Sequence, residues 1–329
     1  MDAFILSHQS ALQAIRYARS RYFGLPWDGL TRPQQQRALE ACAPAGGDID
    51  YGALERVGAW DPELRDPVDV LVGGAGARRR HLDLAPHVMS GTLPSNSLLQ
   101  VQPGLYCCSP ALVITQYAQT HPWQEVLALC MELCGAFGLG DEGYLVCEPA
   151  LTVVQLNRYL GCSKQIRGLP VARKAARYAL NGAASPMEGI VGALYHVPLS
   201  LGGFGLDSML LNHRIDFDHD AVLASGMPYA ICDAYLPLAK TTFEYNGGYH
   251  DAASARRHDE KRTAGLLAMG IQTIPLNDGQ LRDIEALEAI AKTVYKRIGK
   301  RLRYTTAGYR PKQLELLNAL RTSMGLRAC

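Results

Sequence analysis

Asp233, Glu244 and His250 stand at intervals of eleven and six residues in the run DAYLPLAKTTFEYNGGYH, residues 233–250. An aspartate between Cys232 and Ala234, in an apolar strand-like run, is costly unless something pairs with it. Side chains alternate along an extended strand, so Lys240, Thr242, Glu244 and Asn246 are expected on one face. Phe243 and Tyr245 would point the other way and pack against a helix. The chain turns at Pro237 and returns, which lets Asp233 and Glu244 meet near a strand end on a shared face. Two carboxylates converging in poor solvation repel one another unless a cation lies between them. Hard oxygen donors of this kind suit Mg²⁺ or Mn²⁺, which keep their waters and bind phosphate oxygens. The chemistry suggested is therefore phosphate chemistry at a divalent ion.

The elements that must position these residues begin near Ala184. SPMEGIVGALYHV (185–197) reads as a helix, and Ser185 with Glu188 forms a capping box at its start. The glycines at 202, 203 and 205 read as a turn, because their flanking elements are in the wrong order for a phosphate loop. Strands are expected at 213–218, 229–236 and 240–246, then a helix at 255–269 and a strand at 271–275. Two helices close the chain; Ile284, Leu287, Ala291, Val294 and Ile298 recur at helical spacing along the first of them. This order, helix, three strands, helix, strand, is a compact α/β domain. The first half reads as mostly helical, over 8–22, 32–42, 122–137 and near 150–160 and 170–181. A short strand, DVLV (69–72), runs into GGAGARRR, and further strands are expected within 80–108. Ser109 before Pro110 marks another helix start. The expected domains are 1–181 and 182–329.

Composition narrows the class. An apolar content of 48% and a charged content of 19% are those of a globular chain. No apolar run approaches a membrane span and no secretory leader precedes the first helix, so a cytoplasmic protein without membrane contact is expected. Nine cysteines without regular spacing argue against a disulfide framework. Cys130 and Cys134, four apart on a helix, read as small buried thiols before they read as a metal pair. From Ala291 to Cys329 ten Lys or Arg face one acid, Glu315, about +9 on 39 residues. Such a tail suits a nucleic-acid backbone, the alternative being a solvated helix surface.

The stretch from Asp233 to His250 resembles the core motif of Vsr-like endonuclease-related proteins of the PD-(D/E)xK nuclease superfamily. There an aspartate, a proline four residues on and a glutamate eleven on lead into E-x-D-G and a histidine. Asp233, Pro237, Glu244, Gly247 and His250 fall on that spacing, and Asp259, Arg262, Leu266 and Gly270 match the helix that follows. Ser185-Pro186 with Glu188 is similar to the S-P-x-E helix that opens this domain. The resemblance implies a restriction-endonuclease-like mixed sheet flanked by helices and hydrolysis of DNA phosphodiesters. It implies that Asp233, Glu244 and the Tyr245 carbonyl hold Mg²⁺ or Mn²⁺, with Glu188 holding a metal-bound water. His250 would position that water or protonate the leaving oxygen. Arg262 would approach the phosphate or brace an acid, with Lys240, Arg257, Arg301 and Arg303 as further substrate contacts. The segment CCSPALVITQYA is similar to a region following an AbiEi-antitoxin-like winged helix, although the threonine and arginine of that pattern are missing. A second copy or a cognate antitoxin is the protein partner this setting implies, in phage defence, toxin–antitoxin or mobile-element biology.

Each role has a structural rival. Glu188 serves as a cap, Asp259 and Arg262 as an exposed i,i+3 pair, and His250 as a cap on the glycine turn. Asn246 departs from the pattern, standing where the superfamily carries lysine and this family aspartate. Asparagine supplies neither positive charge nor a base. The alternative function is a non-catalytic DNA-binding protein on a degenerate nuclease fold.

Overall fold

The computed structural model describes residues 3–42, 49–64, 66–78, 81–89, 91–140, 143–246, 253–304 and 307–329. It divides into two units, Met1–Ala179 and Leu180–Cys329. Among the described residues no helix is long and apolar enough to cross a membrane.

The strands of the first unit are β1 (Phe4–Leu6), β2 (Asp28–Gly29), β3 (Val68–Val72), β4 (Leu84–Val88), β5 (Leu98–Gln102), β6 (Leu105–Cys108), β7 (Phe137–Gly140) and β8 (Gly143–Val146). Its helices are α1 (His8–Arg21), α2 (Arg32–Ala41), α3 (Tyr51–Arg56), α4 (Pro110–Tyr117), α5 (Trp123–Leu133), α6 (Val153–Cys162) and α7 (Leu169–Ala176). A six-stranded mixed sheet in the order β2-β5-β6-β1-β3-β4 runs through this unit, so it is framed by a sheet as well as by helices. The frame is built from short strands scattered between helices, which local pattern does not assemble. Ser109 caps α4 by accepting from Leu112 N–H, with Pro110 at the first helical position. Arg19 is buried and donates to the carbonyls of Glu148, Gly135 and Phe137, tying α1 to the turns around β7. Cys130 and Cys134 are buried thiols whose pKa values burial raises.

The second unit follows the order α8 (Pro186–His196), β9 (Leu210–Asp216), α9 (His219–Ser225), β10 (Tyr229–Leu236), β11 (Thr241–Tyr245), α10 (Ala253–Ala268), β12 (Gln272–Leu276), α11 (Ile284–Arg297) and α12 (Tyr309–Ser323). Its sheet has the order β12-β11-β10-β9. β10 is antiparallel to both β9 and β11, while β12 is parallel to β11. The parallel step requires a crossover, which α10 supplies. On one face Phe243 stacks on Tyr195 of α8. On the other, Ala230, Cys232 and Ile215 pack with Leu266 of α10 and Ile271. Gly202, in the left-handed region at φ +98°, closes the turn after α8. The run LGGFGL is thus a connection.

Candidate active site

Glu244 comes from the centre of the second unit. Phe243 turns toward α8, so strand alternation sends Thr242 and Glu244 to the α10 face. Glu244 is 4% exposed. Its Oε1 accepts from Thr242 Oγ1 at 2.6 Å, and its Oε2 accepts from Arg262 Nη1 at 2.7 Å. The same nitrogen donates to the Ile231 carbonyl at 3.0 Å, which holds the guanidinium across β10 and β11. Of the two roles open to Arg262, the structure has it bracing an acid. Asp259 is exposed and is not its partner: Arg262 bonds to a carboxylate 18 residues away in preference to one three residues away.

Asp233 lies where the alternation of β10 breaks. Cys232 packs on the α10 side, whereas Ala234 is opposite Phe243 and belongs to the α8 side. The two neighbours of Asp233 therefore face opposite ways, which a regular strand does not allow. The break has a partner on β9. The pairing runs through Cys232↔His213 and Ala234↔Leu211, and the residue between, Asn212, is in the left-handed region at φ +45°. The expectation that Asp233 and Glu244 share a regular strand face is corrected accordingly. The Asp233 carboxylate turns into the gap at the end of the β10–β11 ladder, where its Oδ2 accepts from Tyr245 N–H at 2.8 Å. Asn246 N–H bonds to the Leu276 carbonyl of β12. Backbone groups of successive strand residues point to opposite neighbours, so the N–H and carbonyl of Tyr245 both turn toward β10 and Asp233.

Glu188 sits one turn into α8. Ser185 Oγ accepts from Glu188 N–H, and Glu188 returns by accepting from Ala184 N–H at 2.7 Å and from Ser185 Oγ at 2.9 Å. The capping role is real. Asn212 Nδ2 also donates to Glu188 Oε2 and to the Gly182 carbonyl. Its strained backbone is what brings the amide there, and such conformations persist where surrounding structure over-determines them.

Electrostatics joins the three acids through Asp233. Burial raises Glu188, and repulsion from Asp233 raises it further against the hydrogen bonds that lower it. Burial likewise raises Glu244, with Asp233 again adding repulsion and Arg262 opposing it. Burial raises Asp233 itself, with the Tyr245 N–H and the charge of Arg262 pulling the other way.

The remaining expected residues fall elsewhere. Lys240 precedes β11 in a left-handed turn at φ +43°, exposed, at the end of the strand away from Glu244. It does not share the Glu244 face, because the extended conformation that alternation needs begins only at Thr241. Asn246 is exposed just past the strand. His250, with Gly247, lies outside the described residues, as does the side chain of Arg257. The ten cations of the C-terminal stretch divide. Arg297 donates to the Ala239 carbonyl and Gln272 Oε1, Arg310 to Glu288, and Lys312 to the Ser200 carbonyl. Lys292 pairs with Glu288, and Arg321 is fully buried on the Leu281 and Arg327 carbonyls. Counting acids from Ala291 onward excluded Glu288, which neutralises two of them. Lys296, Lys300, Arg301, Arg303 and Arg327 are exposed. The roles of Thr242 and Asn212 do not follow from the sequence pattern. Asparagine's tolerance of the left-handed region is the one signal that points to Asn212.

Among the described residues no group of three or more His, Cys, Asp or Glu is arranged to hold a metal ion. Two carboxylates nevertheless fit a hard divalent ion in kind. Magnesium is commonly held by one or two carboxylates, with waters and substrate phosphates completing its octahedron. Asp233 has one oxygen committed to Tyr245, and the Glu244 oxygen on Arg262 already balances a positive charge. No family model, no curated protein and no solved structure matches this chain.

Proposed function

We propose that the second unit is a divalent-metal-dependent phosphodiesterase, a DNA endonuclease on a restriction-endonuclease-like fold. The observation that carries this reading is geometric: Asp233 accepts from the N–H of Tyr245, the residue after the buried Glu244, while Asn212, across the strand pair from Asp233, donates to Glu188. The charge of Asp233 adds to the raised pKa of both acids. Burying like charges together is unfavourable and marks a place built for a cation. In support, the acids come from α8, β10 and β11 in the order α8-β9-α9-β10-β11-α10-β12, which is the order expected from the sequence with the short helix α9 added between the first two strands. The winged-helix reading of the N-terminal region has in its favour only the Ser109–Pro110 helix start and is not carried further.

Asp233 and Glu244 would hold Mg²⁺ or Mn²⁺, with the Tyr245 carbonyl turned toward the same strand gap. Such an ion, when bound, polarises a phosphoryl oxygen and acidifies a water. The protein's part is orientation. Tyr245 N–H fixes the Asp233 rotamer, and the Thr242 hydroxyl fixes that of Glu244. Glu188, steadied by its cap and by Asn212, has a raised pKa and can take a proton from water. Arg262 keeps the Glu244 charge balanced when no metal is present. Asn246 can orient a water through its amide but moves no proton.

The second reading, a non-catalytic nucleic-acid binder, is favoured by one observation: Arg262 already occupies Glu244. Calorimetric titration of the full chain with Mg²⁺ and Mn²⁺, with cleavage assays on single- and double-stranded DNA and RNA, separates the two. The nuclease requires a saturable ion site that Asp233→Asn and Glu244→Gln abolish, together with metal-dependent cleavage. Nucleic-acid binding with neither would leave the non-catalytic reading.

A further inference from the structure

The first unit holds a polar cluster with no part in the carboxylate chemistry. β3 and β4 pair in parallel, and α1 begins beside them at His8. Asp69 Oδ1 accepts from His87 Nε2 at 2.6 Å, while its Oδ2 accepts from Gln9 N–H at 3.1 Å. An ionised carboxylate only accepts, so Nε2 of His87 carries a proton and donates it to Asp69. The His8 ring stacks on His87, with centroids 3.7 Å apart. Burial, and then the charge of His87, hold the His8 pKa down to about 4, so it stacks as a neutral ring. His8 has φ +45°, a conformation rare outside glycine, and its N–H is fixed by Gln116 Oε1 at 3.0 Å.

His8, His87 and Gln116 line a cleft of about 670 Å³, together with Arg78, Arg167, Gln119 and Gln165. Among the described residues no acidic side chain lines it. Arg78 belongs to the arginine-bearing turn GGAGARRR and sends its Nε to the Pro86 carbonyl at 3.3 Å. Arg167 comes from the connection before α7 and is exposed. Two guanidiniums in one cleft, whose nearest acid, Asp69, is already engaged by His87 and by Gln9 N–H, match an anion carrying more than one negative charge. The volume is that of a small-molecule site and far exceeds a bare phosphate. The amides of Gln119 and Gln165 offer paired donors and acceptors of the kind a nucleobase edge satisfies.

We propose that this cleft binds a phosphate monoester of mononucleotide size, with Arg78 and Arg167 on the phosphate and His87 as a further hydrogen-bonding group. The source of that monoester is either a free nucleotide or the 5′-phosphorylated end of a strand. The test titrates the full chain by calorimetry with a purine nucleoside monophosphate, a 5′-phosphorylated oligonucleotide and the same oligonucleotide without its phosphate. Saturable binding of the monophosphate, weakened at least tenfold by Arg78→Gln and by Arg167→Gln, is the expected result. Equal or tighter binding of the 5′-phosphorylated strand, lost without its phosphate, assigns the site to a strand end; binding of the monophosphate alone assigns it to a free nucleotide. Both arginines are exposed, so their replacement leaves the fold intact. No saturable binding of either phosphorylated probe, or binding unchanged in both variants, overturns the proposal.

Discussion

Replacing Arg262 with methionine isolates what balances the buried acids. Methionine keeps much of the stem and removes the guanidinium, so Glu244, 4% exposed, keeps the Thr242 hydroxyl but loses its cation. Two bonds are lost, one to a carboxylate at 2.7 Å and one to the Ile231 carbonyl at 3.0 Å. The donor of both is an ionised guanidinium, and a charge-assisted bond contributes about 1.5–3 kcal/mol, so together they span about 3–6 kcal/mol. Among the described residues Arg262 Nε is itself buried without a partner, and its removal returns part of the loss. The expected net cost is about 3 kcal/mol at pH 8, at the lower end of that summed range. In a unit of this size that lowers the melting temperature by roughly 6–12 °C, at about 2–4 °C per kcal/mol. The sign with pH follows from Glu244. Its folded pKa is already raised, and loses in Arg262 one of the groups that lower it. A carboxyl raised in the folded state favours folding below its unfolded pKa, and that contribution is lost as pH rises through the folded value. The deficit of Arg262→Met therefore shrinks from pH 8 toward pH 5, by at most about 1.4 kcal/mol per unit. Thermal melts of both proteins at the two pH values, with and without Mg²⁺, measure it. If the carboxylates hold an ion, Mg²⁺ at a hundred times its dissociation constant adds about 2.7 kcal/mol to the protein that binds it. An equal deficit at both pH values would refute the role given to the Glu244 charge, and melting temperatures that Mg²⁺ leaves unmoved in both proteins would refute the metal site.

Asn246→Asp adds an acid at an exposed position, so a burial penalty does not arise. Stability without metal should stay within about 0.5 kcal/mol, while Mg²⁺ binding tightens; a loss above about 1 kcal/mol in melts would contradict this placement. Charge reversal at Lys300, Arg301 and Arg303 should flatten the salt dependence of nucleic-acid binding, by about 0.9 in log–log slope for each duplex phosphate no longer neutralised. An unchanged slope would make them an ordinary solvated surface. Deleting 300–329 is not a cleaner version of that test, because Leu316, Leu317, Leu320 and Arg321 are buried. Ser185→Ala should cost about 1 kcal/mol through the lost α8 cap and loosen Glu188; equal metal affinity in wild type and variant would separate the cap from the site.

Local chemistry was legible wherever neighbours in sequence settle the outcome. The bounds of β10, Tyr229–Leu236, follow from an apolar run ended by Pro237, and the start of α8 follows from Ser185 before Pro186. Phe243 against a helix, and Thr242 on the side of Glu244, are consequences of strand alternation alone. The types and spacing of Asp233 and Glu244 were enough to single them out as candidates, whereas Glu188 read as a cap and joined them only through the family resemblance.

Tertiary structure decided which partner each charge took. Arg262 had an acid three residues away and one eighteen away, and bonds to the buried one, because a desolvated carboxylate gains more from a cation than an exposed one does. Spacing along the chain carries no information about that difference in burial. The same holds for Arg297, Arg310 and Arg321, cations of a basic tail by sequence and internal hydrogen-bond donors in the fold. The break at Asp233 requires Asn212 in a left-handed conformation one strand away, which the pattern of neither strand reveals. The cluster of His8, Asp69 and His87 exists only because one sheet and one helix start gather three segments of chain. Sequence determines which residues can do chemistry; their burial and their distant neighbours determine which of them must share a site.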